Sequence, residues 1–448
     1  MKVIYFDIDS LRPDHLGVYG YKRPTSPNID QVARDGIVFT NCYTSDSPCM
    51  PSRAATISGR LGTRTGIVTH GSRGETMDLK VDTLPNILRV AGVTTAAVST
   101  FGRHPSPWFY VGWENFYDPK GWHFQATPAW KINEIALDWL DDHAKDDFFL
   151  WVQYWDVHSV YNPPESCVDA VKSDDYPEYP TKDQVHNHRN DVFWHSAGMM
   201  GIDSYETYKH VVDLYDAEIR YVDYHIGQVL KKLDSLGISE DTAIIISADH
   251  GEELGEHGVY IEHWSVYDGT NRVPLIVRLP KALQQSGVRH DLVYQMDLSA
   301  TILDLFGVRV PEKWDAKSLL SGDSRTHLVC GHGLYTAQRA VITENWKLIR
   351  TYHPGQWDIP NVQLFDRKHD VFEQHSVAHE HRSVVKELMD YLTDWESRVA
   401  GETDPMKVNA LYGPPGIQLY GQQAMEAYEK HRRVMDFVLP DRKPSIDP

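Results

Sequence analysis

The sequence KVIYFDIDS occupies residues 2–10 and indicates a strand at the centre of a large sheet. Its β-branched and aromatic residues form an apolar run, so we expect a strand buried on both faces at residues 3–8. Asp7 and Asp9 lie two positions apart at its end, so both carboxylates point to one side. Burying them is costly unless they pair with a cation such as Arg12, cap a helix or bind a metal. Because open α/β sheets bind ligands at the carboxyl ends of their strands, we expect a ligand site here.

Similar apolar runs recur along the chain, with amphipathic segments between them. We expect further strands at residues 94–99, 148–154, 242–248, 274–279 and 327–330, and helices at residues 28–35, 52–58, 84–90, 130–143, 205–236 and 297–305. Strands that alternate with helices predict an α/β fold with a mainly parallel central sheet and helices on both of its faces.

The pattern of the sequence changes in its last quarter, where paired strands and then a helix predict a small α+β unit. These elements are expected at residues 339–343, 347–351 and 380–399. We therefore predict a catalytic domain of residues 1–335 and a C-terminal subdomain of residues 336–448, which ends in an extended tail. From about Asp404 the tail is rich in Pro, Gly, Gln and Tyr. It is either an arm that packs on a neighbouring subunit of a homo-oligomer or a segment laid over its own chain.

The composition limits the partners of the protein. A formal net charge of −19 argues against nucleic acids and anionic membranes. No stretch approaches the roughly 20 apolar residues of a membrane-spanning helix. The first residues lack the features of a signal peptide, so we expect a cytoplasmic protein, or a periplasmic or secreted one if a leader was removed. Four cysteines without a Cys-x-x-Cys pair indicate neither a zinc knuckle nor a disulfide scaffold.

A second pair of polar residues follows another expected strand. Asp249 and His250 come directly after the apolar run at residues 242–248, and Gly251 then allows the backbone to turn tightly. A carboxylate and an imidazole are both metal ligands. Because parallel strands end at the same edge of a sheet, Asp9, Asp249 and His250 together indicate a divalent metal site.

The segment SPCMPSR, residues 47–53, places a cysteine at the start of a helix. Pro51 fits the first turn of a helix, so Cys49 lies near a helix N-terminus, where free N–H groups favour an anion. Arg53 follows one turn later and can reach back to a tetrahedral anion bound there. A single cysteine is most often an unreactive buried residue, but these neighbours favour a reactive one.

Cys-x-Pro-Ser-Arg, followed by Ala and then by Ser-Gly-Arg, resembles the signature of the type I sulfatases of the alkaline-phosphatase-like superfamily. Segments along most of the chain resemble the same family, namely LRPDHLGVYGY, LYDAEIRYVDYHIGQVL, SADHGEELGEHG, NRVPLIVRLP and ENWKLIR. The resemblance implies hydrolysis of a sulfate ester by a formylglycine that a maturation enzyme makes from Cys49. It also implies one divalent metal, usually Ca²⁺ with Mn²⁺ and Mg²⁺ as alternatives, bound by Asp9, Asp249, His250 and the modified Cys49.

The chain departs from the family pattern at its first strand. Ser10 follows Asp9 at the position where many members carry a second aspartate. Some members have a single aspartate there, so the implied metal site is retained. Asp7 is a candidate for the missing carboxylate.

The resemblance implies further residues around the sulfate group. His158 in YWDVHSVY resembles the histidine that binds sulfate or protonates the leaving oxygen. Arg103 and His104 loosely resemble a lysine and a histidine that bind sulfate or assist breakdown of the intermediate. His263 takes the place of a family lysine and is a candidate general acid with a pKa nearer neutrality. His70 in VTHG is another candidate for substrate contact, with a surface loop as the alternative.

The substrate implied by the resemblance is a sulfated small molecule, and we expect a saccharide. Aromatic residues at 108–113, with Trp122 and Trp130, are suited to stacking on a sugar ring, and core packing explains them equally well. A phosphonate monoester hydrolase or phosphodiesterase with the same formylglycine is the alternative, because Ser10 and the missing signal peptide fit those enzymes. A binding or structural relative without catalysis is a further alternative, which predicts that Cys49 remains a thiol.

Overall fold

The computed structural model describes residues 1–72, 74–188, 197, 200–402, 404–416 and 443–446. The strands in these residues are β1 (Lys2–Ile8), β2 (Ile37–Tyr43), β3 (Asp46–Ser47), β4 (Thr94–Val98), β5 (Asn115–Tyr117), β6 (Phe148–Tyr154), β7 (Thr242–Ser247), β8 (Glu253–Leu254), β9 (Tyr260–Glu262), β10 (Leu275–Arg278), β11 (Gly287–Tyr294), β12 (Leu328–His332), β13 (Ala337–Ile342), β14 (Trp346–His353) and β15 (Val362–Asp366). The α-helices are α1 (Pro27–Arg34), α2 (Cys49–Ser58), α3 (Gly62–Thr65), α4 (Leu84–Val90), α5 (Ala129–His143), α6 (Glu165–Val171), α7 (Lys182–His188), α8 (Tyr205–Ser235), α9 (Asp268–Asn271), α10 (Asp297–Leu305), α11 (Arg382–Trp395) and α12 (Pro405–Tyr412).

β1 occupies an inner position in a sheet of eight described strands, which are ordered β11-β2-β10-β7-β1-β6-β4-β5. It pairs in parallel with β6 on one side and with β7 on the other. Residues 3–6 of β1 are fully buried, because neighbours cover the strand on both edges and both faces. The apolar run therefore forms a central strand, and the expected α/β fold with a mainly parallel sheet is confirmed.

β10 departs from the parallel arrangement, because it runs antiparallel to both of its neighbours, β7 and β2. A strand parallel to β7 would require a crossover that returns the chain to the end of the sheet at which β7 begins. Residues 248–274 instead leave the sheet and re-enter it at the carboxyl end of β7. They contain the short hairpin of β8 and β9 and the single turn α9. This connection holds the Asp-His-Gly segment at the carboxyl end of β7.

The helices that flank the large sheet are fixed by their apolar faces, as α8 illustrates. Ser204 caps this helix, because its hydroxyl accepts the Thr207 N–H and the Thr207 side chain bonds back to the Ser204 backbone. Its buried residues Tyr208, Val211 and Tyr215 recur at helical spacing. They direct α8 against α1, α5 and α6. The long helix expected at residues 205–236 is thereby confirmed.

β12 belongs to a second sheet of described strands, ordered β15-β14-β13-β12-β3. The expectation that residues 327–330 join the parallel sheet is wrong, because β12 pairs antiparallel with β13 and parallel with β3. The pairing with β3 attaches this sheet to the segment that leads into Cys49. Because β12 precedes residue 336, the sheet extends across the expected domain boundary, and the division between residues 335 and 336 remains a prediction.

The C-terminal part of the chain is helical where an extended tail was expected. Residues 405–412 form α12, whose N-cap Asp404 accepts the Met406 N–H and forms an ion pair with Arg339. Most of the tail to which the expected oligomer contact was assigned, residues 417–442, lies outside the described residues. Among the helices that are described, none is both long enough and apolar enough to cross a membrane.

Candidate active site

Cys49 is the first residue of α2, and only 1% of its surface is exposed. β3 ends at Ser47, so the second sheet fixes the point at which α2 begins. This start lies three residues before the expected one, which puts Cys49 in the first turn. Burial, together with the nearby carboxylates of Asp9 and Asp249, raises the pKa of the Cys49 thiol well above its ordinary value.

The Arg53 side chain is bound by three buried carboxylates. Its Nε and Nη2 atoms donate to the two oxygens of Asp7 at 2.8 and 3.1 Å. Its Nη1 atom donates to Asp9 Oδ2 at 2.9 Å and to Asp249 Oδ2 at 2.6 Å. Asp7 also accepts the indole N–H of Trp151 at 3.0 Å. Both Asp7 oxygens are thus bound by other side chains, which supports a role as the partner of Arg53, and whether Asp7 also binds metal remains a prediction.

Asp9, Asp249 and His250 surround a place that fits a divalent cation. The ligand atoms of Cys49, Asp249 and His250 lie within 4.8 Å of one another. Nε2 of His250 lies 3.4 Å from Asp249 Oδ2 and 4.0 Å from Asp9 Oδ1. This nitrogen is buried and has no hydrogen-bond partner among the described residues. The sequence-predicted ligands are thus brought together, and their role as ligands remains a prediction.

The charges of this cluster also fit a divalent cation. The carboxylates of Asp7, Asp9 and Asp249 face one guanidinium, so two negative charges remain unbalanced when all three are ionised. Burial raises the pKa of Asp249 well above its usual range, although Arg53 acts to lower it. Isolated buried carboxylates are unfavourable, and a cation with two positive charges would remove the imbalance.

Two histidines border Cys49 on its other side. Nε2 of His70 lies 3.3 Å from the Cys49 Sγ atom, and Nε2 of His104 lies 3.9 Å from it. The two imidazole rings contact each other edge to face at 4.6 Å. Burial lowers the pKa of His104 to about 4 and lowers that of His70 well below its ordinary value. Both rings are therefore neutral at neutral pH, and each can accept a proton.

A third imidazole, His263, is held by a buried carboxylate. Its Nδ1 atom lies 3.1 Å from Oε1 of Glu252. Its ring centroid is 4.3 Å from that of His250 and 5.9 Å from that of His158. His158 is partly exposed, and its Nδ1 atom contacts the Ser159 carbonyl oxygen at 2.6 Å. His158 and His263, which are far apart in sequence, therefore share one side of the site.

Arg103 is not brought to this cluster, which corrects the expectation from the sequence. Its guanidinium donates to the carbonyl oxygens of Trp122 and Pro119 at 3.1 and 2.9 Å and pairs with Asp118 at 3.0 Å. These contacts fix the loop that follows β4. His104, the next residue, points to Cys49 instead, so only one of these two neighbours lies at the site.

Two buried residues of the site escaped the sequence reasoning. Glu252 follows Asp249-His250-Gly251 directly, so its position in that segment was a usable signal. His332 lies in β12, and its Nδ1 atom is 3.0 Å from the Ser47 hydroxyl. Its nearness to the site follows from the pairing of β12 with β3, and no local pattern in the sequence indicates such a pairing.

Three residues with left-handed backbone conformations adjoin the site. Ser10, Val157 and Ile261 have φ angles of 58°, 91° and 60°. They lie beside Asp9, beside His158 and two residues before His263, respectively. A positive φ is costly for β-branched residues such as Val and Ile and persists only where surrounding contacts enforce it. The fold therefore stores backbone strain in the segments that present candidate site residues.

The aromatic stretch at residues 108–113 is in large part core. Trp108 and Phe109 are buried, and Phe109 contacts Trp113 and Trp151 with ring centroids 6.3 and 5.4 Å apart. Tyr110 has 37% of its surface exposed. Of the two readings that the sequence left open, core packing applies to Trp108 and Phe109.

Comparison with known proteins gives two family models that match the chain. The model described as Sulfatase matches residues 2–308, and that described as N-sulphoglucosamine sulphohydrolase, C-terminal, matches residues 255–398. N-acetylglucosamine-6-O-sulfatase from Bacteroides thetaiotaomicron is 23% identical over 92% of this chain and 88% of its own length. Delta 4,5-hexuronate-2-O-sulfatase from the same species is 25% identical over 90% of each chain.

Solved structures share the fold. One described as a complex with its substrate D-glucosamine-2-N,6-O-disulfate has a TM-score of 0.73 and 21% identity, over 91% of this chain and 99% of its own. Phosphonate monoester hydrolase from Silicibacter pomeroyi has a TM-score of 0.72 and 19% identity, over 90% of this chain and 96% of its own. At these identities the likeness extends to the fold alone.

Proposed function

Because the chain belongs to the sulfatase family, we propose that it removes sulfate from a sulfated saccharide by means of a formylglycine made from Cys49. That the protein is a sulfuric ester hydrolase follows from the family. The saccharide is supported by the relatives, two of which are named for sugar sulfates. The formylglycine is supported by the Cys-Met-Pro-Ser-Arg motif.

One observation carries the proposal. Position 49 lies at the first turn of α2, between Arg53 with its carboxylates on one side and the imidazoles of His70 and His104 on the other. A nucleophile there lies beside neutral bases that can take up a proton, and a divalent metal would add the positive charge that this acidic cluster needs to bind an anionic group. Asp9, Asp249, His250 and the modified residue 49 would hold the divalent metal. When bound, the metal supplies Lewis acidity and positive charge toward the sulfate oxygens.

The hydrated aldehyde at residue 49 carries two hydroxyl groups on one carbon. One hydroxyl would give its proton to Nε2 of His70, which lies 3.3 Å from the position of Sγ, as its oxygen attacks sulfur, and the bond between sulfur and the sugar oxygen would break. The guanidinium of Arg53 is locked by Asp7, so it stabilises the charge of the sulfo group without having to reorganise. Its cation also lies over the ring of Phe101, at 4.7 Å, which shields it from water.

The sugar oxygen must gain a proton as it leaves. His263 and His158 are the candidates, because their rings lie together on one side of the site. We assign the proton to His263, because its Nδ1 atom is held by Glu252, and burial raises the pKa of Glu252 to about 8, so the pair retains a proton near neutral pH that His263 can pass to the sugar oxygen from Nε2. His158, which is partly exposed, is assigned to binding of the sulfate group.

The last step restores the aldehyde. Removing the proton from the second hydroxyl allows the carbon–oxygen double bond to form and expels sulfate. Nε2 of His104 is the assigned base, because it faces residue 49 at 3.9 Å from Sγ and is neutral at neutral pH. A serine or an unmodified cysteine has no second hydroxyl on that carbon, so it could not complete this step.

Sulfate release from protein produced together with a formylglycine-generating enzyme tests the proposal. The substrates are sulfated mono- and disaccharides and an aryl sulfate, beside a phosphonate monoester and a phosphodiester, each with Ca²⁺ or Mn²⁺. We expect saccharide sulfates to be turned over, Cys49→Ala to abolish the reaction and Cys167→Ala to retain it. Mass spectrometry of the peptide that contains residue 49 reports the aldehyde.

The phosphonate monoester hydrolase is the second candidate function, favoured by Ser10 in place of a second aspartate. A clear preference for the phosphorus esters in the same assay would establish it and overturn the sulfatase assignment. A peptide that carries only the thiol, with sulfate released all the same, would overturn the formylglycine.

A further inference from the structure

The described C-terminal segment, residues 443–446, inserts a lysine behind the loop that carries His158. Nζ of Lys443 lies 2.6 Å from Asp156 Oδ1 and 2.5 Å from Glu218 Oε2. The hydroxyl of Ser166 donates to the Ile446 carbonyl oxygen at 2.9 Å and fastens the end of the segment. A residue near the C-terminus thus completes a cluster of charges that otherwise belongs to the catalytic part of the fold.

Asp156 and Glu218 need this cation. Their side chains are only 2% and 1% exposed, and the same ammonium group bridges them. Glu218 lies on α8, whereas Asp156 lies in the connection that follows β6. Without Lys443, two buried carboxylates would face each other with no cation between them. Leaving charges unpaired inside a protein is strongly unfavourable, so the loop or the helix would have to move.

The loop between Asp156 and Asn162 is held at both of its ends by this cluster. Asp156 is bound by Lys443, and the Asn162 N–H donates to Glu218 Oε1 at 2.6 Å. Val157, which directly follows Asp156, has the strained φ of 91°. A β-branched residue keeps such a conformation only while its neighbours enforce it. His158 is the next residue, so its direction depends on the strain being maintained.

We propose that Lys443 is a positioning residue for His158, which it controls through Asp156 and the strained backbone of Val157. Loss of the ammonium group lets the loop relax, and the His158 ring turns away from His263 and residue 49. The positioning rests on geometry alone. Only its effect on turnover rests on the proposed function, in which His158 binds the sulfate group.

Replacement of Lys443 in the full-length, converted protein tests the proposal. Lys443→Met keeps the length of the side chain and removes its charge, and we expect turnover to fall roughly ten- to a hundredfold, as for a misplaced binding group. Lys443→Arg retains a cation and should keep most of the activity. Lys386→Met is the matched control, because Lys386 forms an exposed ion pair with Asp390 on α11. An unchanged rate in Lys443→Met would overturn the proposal.

A charge-balanced variant and a double-mutant cycle separate positioning from a general loss of structure. Lys443→Met with Glu218→Gln removes one charge of each sign, so it should recover part of the lost activity if charge imbalance moves the loop. In a His158→Ala background, Lys443→Met should have little further effect, because the residue that it positions is gone. An equal loss of activity in the wild-type and His158→Ala backgrounds would overturn the proposal. A loss of activity that parallels a fall in melting temperature would also overturn it.

A readout without substrate keeps this proposal distinct from the proposed function. In protein labelled with ¹⁵N-histidine, we expect the His158 resonances to shift in Lys443→Met and to stay in place in Lys386→Met. If no sulfate ester is hydrolysed but these resonances shift, the positioning stands and the proposed function fails. If sulfate is released and the resonances do not move, the positioning fails.

Discussion

Oε1 of Glu252 lies 3.1 Å from Nδ1 of His263, a buried imidazole at the position where the resemblance of the sequence implies a lysine. A lysine carries its own charge, whereas an imidazole needs a neighbour to fix its tautomer and to stabilise its cation. Glu252 can fix the tautomer, and because burial raises the pKa of Glu252 to about 8 and lowers the pKa of His263, the two groups hold one proton between them near neutral pH. The two residues therefore act together as the proton donor, and a change at either one alone should impair proton donation.

Glu252→Gln tests this pair. The amide can present its NH₂ group to Nδ1 and so favour the tautomer with the proton on Nε2, and it cannot stabilise an imidazolium. We expect kcat to fall roughly ten- to a hundredfold for saccharide sulfates, whose leaving oxygen needs a proton, and less for aryl sulfates with acidic phenols. A plot of kcat against the leaving-group pKa measures this. The matched control is Glu240→Gln at an exposed ion pair, and equal losses across all leaving groups would refute the role.

The variant Asp7→Asn tests whether Asp7 serves as the partner of Arg53 or as a metal ligand. Both oxygens of Asp7 are used by Arg53, so we expect the variant to lower turnover while metal affinity changes little. Asp9→Asn should weaken metal binding more than tenfold, because it removes a direct carboxylate ligand. Titration calorimetry with Ca²⁺ and Mn²⁺ measures both variants. Equal losses of affinity would show that Asp7 binds the metal.

His250→Asn should change which metal the site prefers. Ca²⁺ takes oxygen ligands almost exclusively, whereas Mn²⁺ also accepts an imidazole nitrogen. An amide oxygen at position 250 should therefore raise the affinity for Ca²⁺ relative to Mn²⁺. The ratio of the two dissociation constants gives the answer without any assay of activity. A ratio that stays constant would mean that His250 does not contact the metal.

His225 should make the fold sensitive to acid. Burial lowers its pKa from 6.5 to about 4, a carboxylate at Asp156 opposes this and the Lys443 cation adds to it. The ring packs edge to face on Tyr221 at 4.6 Å. Because the folded state favours the neutral imidazole, its contribution is complete above pH 6.5 and is lost as the pH falls toward 4. Over this interval the free energy of unfolding should fall by up to about 1.4 kcal/mol per pH unit from this residue.

His225→Phe measures this contribution. The variant keeps an aromatic ring and cannot bind a proton, so its unfolding free energy should depend less on pH between 6.5 and 4. Urea denaturation at several pH values in that interval gives the slopes. His369→Phe is the control, since that side chain is 73% exposed. Parallel slopes for the wild type and His225→Phe would contradict the prediction.

The sequence predicts elements whose signal is local. β6 and α4 have the bounds that their apolar patterns indicate, and β1 and β7 differ by a residue. β11 is an edge strand with polar, exposed residues in its first half, and β2 is an inner strand whose apolar run is interrupted by Thr40 and Asn41, so neither is indicated by a continuous apolar run. Local pattern also cannot reveal that β10 is antiparallel, since that depends on where the preceding connection ends.

The candidate site was predictable as far as its residues follow strand ends or lie in a motif. Asp9, Asp249 and His250 meet because parallel strands end at one edge. The prediction that Arg103 lies at the site is wrong. The sequence around His104 does not indicate that backbone carbonyl oxygens bind the Arg103 guanidinium. His332 and Lys443 are distant in sequence from the motifs, and only tertiary contacts bring them near the site.

The pairing of β3 with β12 limits the time during which another protein can modify Cys49. Ser47 and His332 are 285 residues apart, so the strand that locks the start of α2 is synthesised long after the cysteine. At ordinary rates of translation, roughly 15–60 s pass between the two. Once the sheet closes, the side chain is inaccessible to another protein. If Cys49 is converted as proposed, a maturation enzyme would have to act on the nascent or unfolded chain, and a chain that folds first would stay inactive.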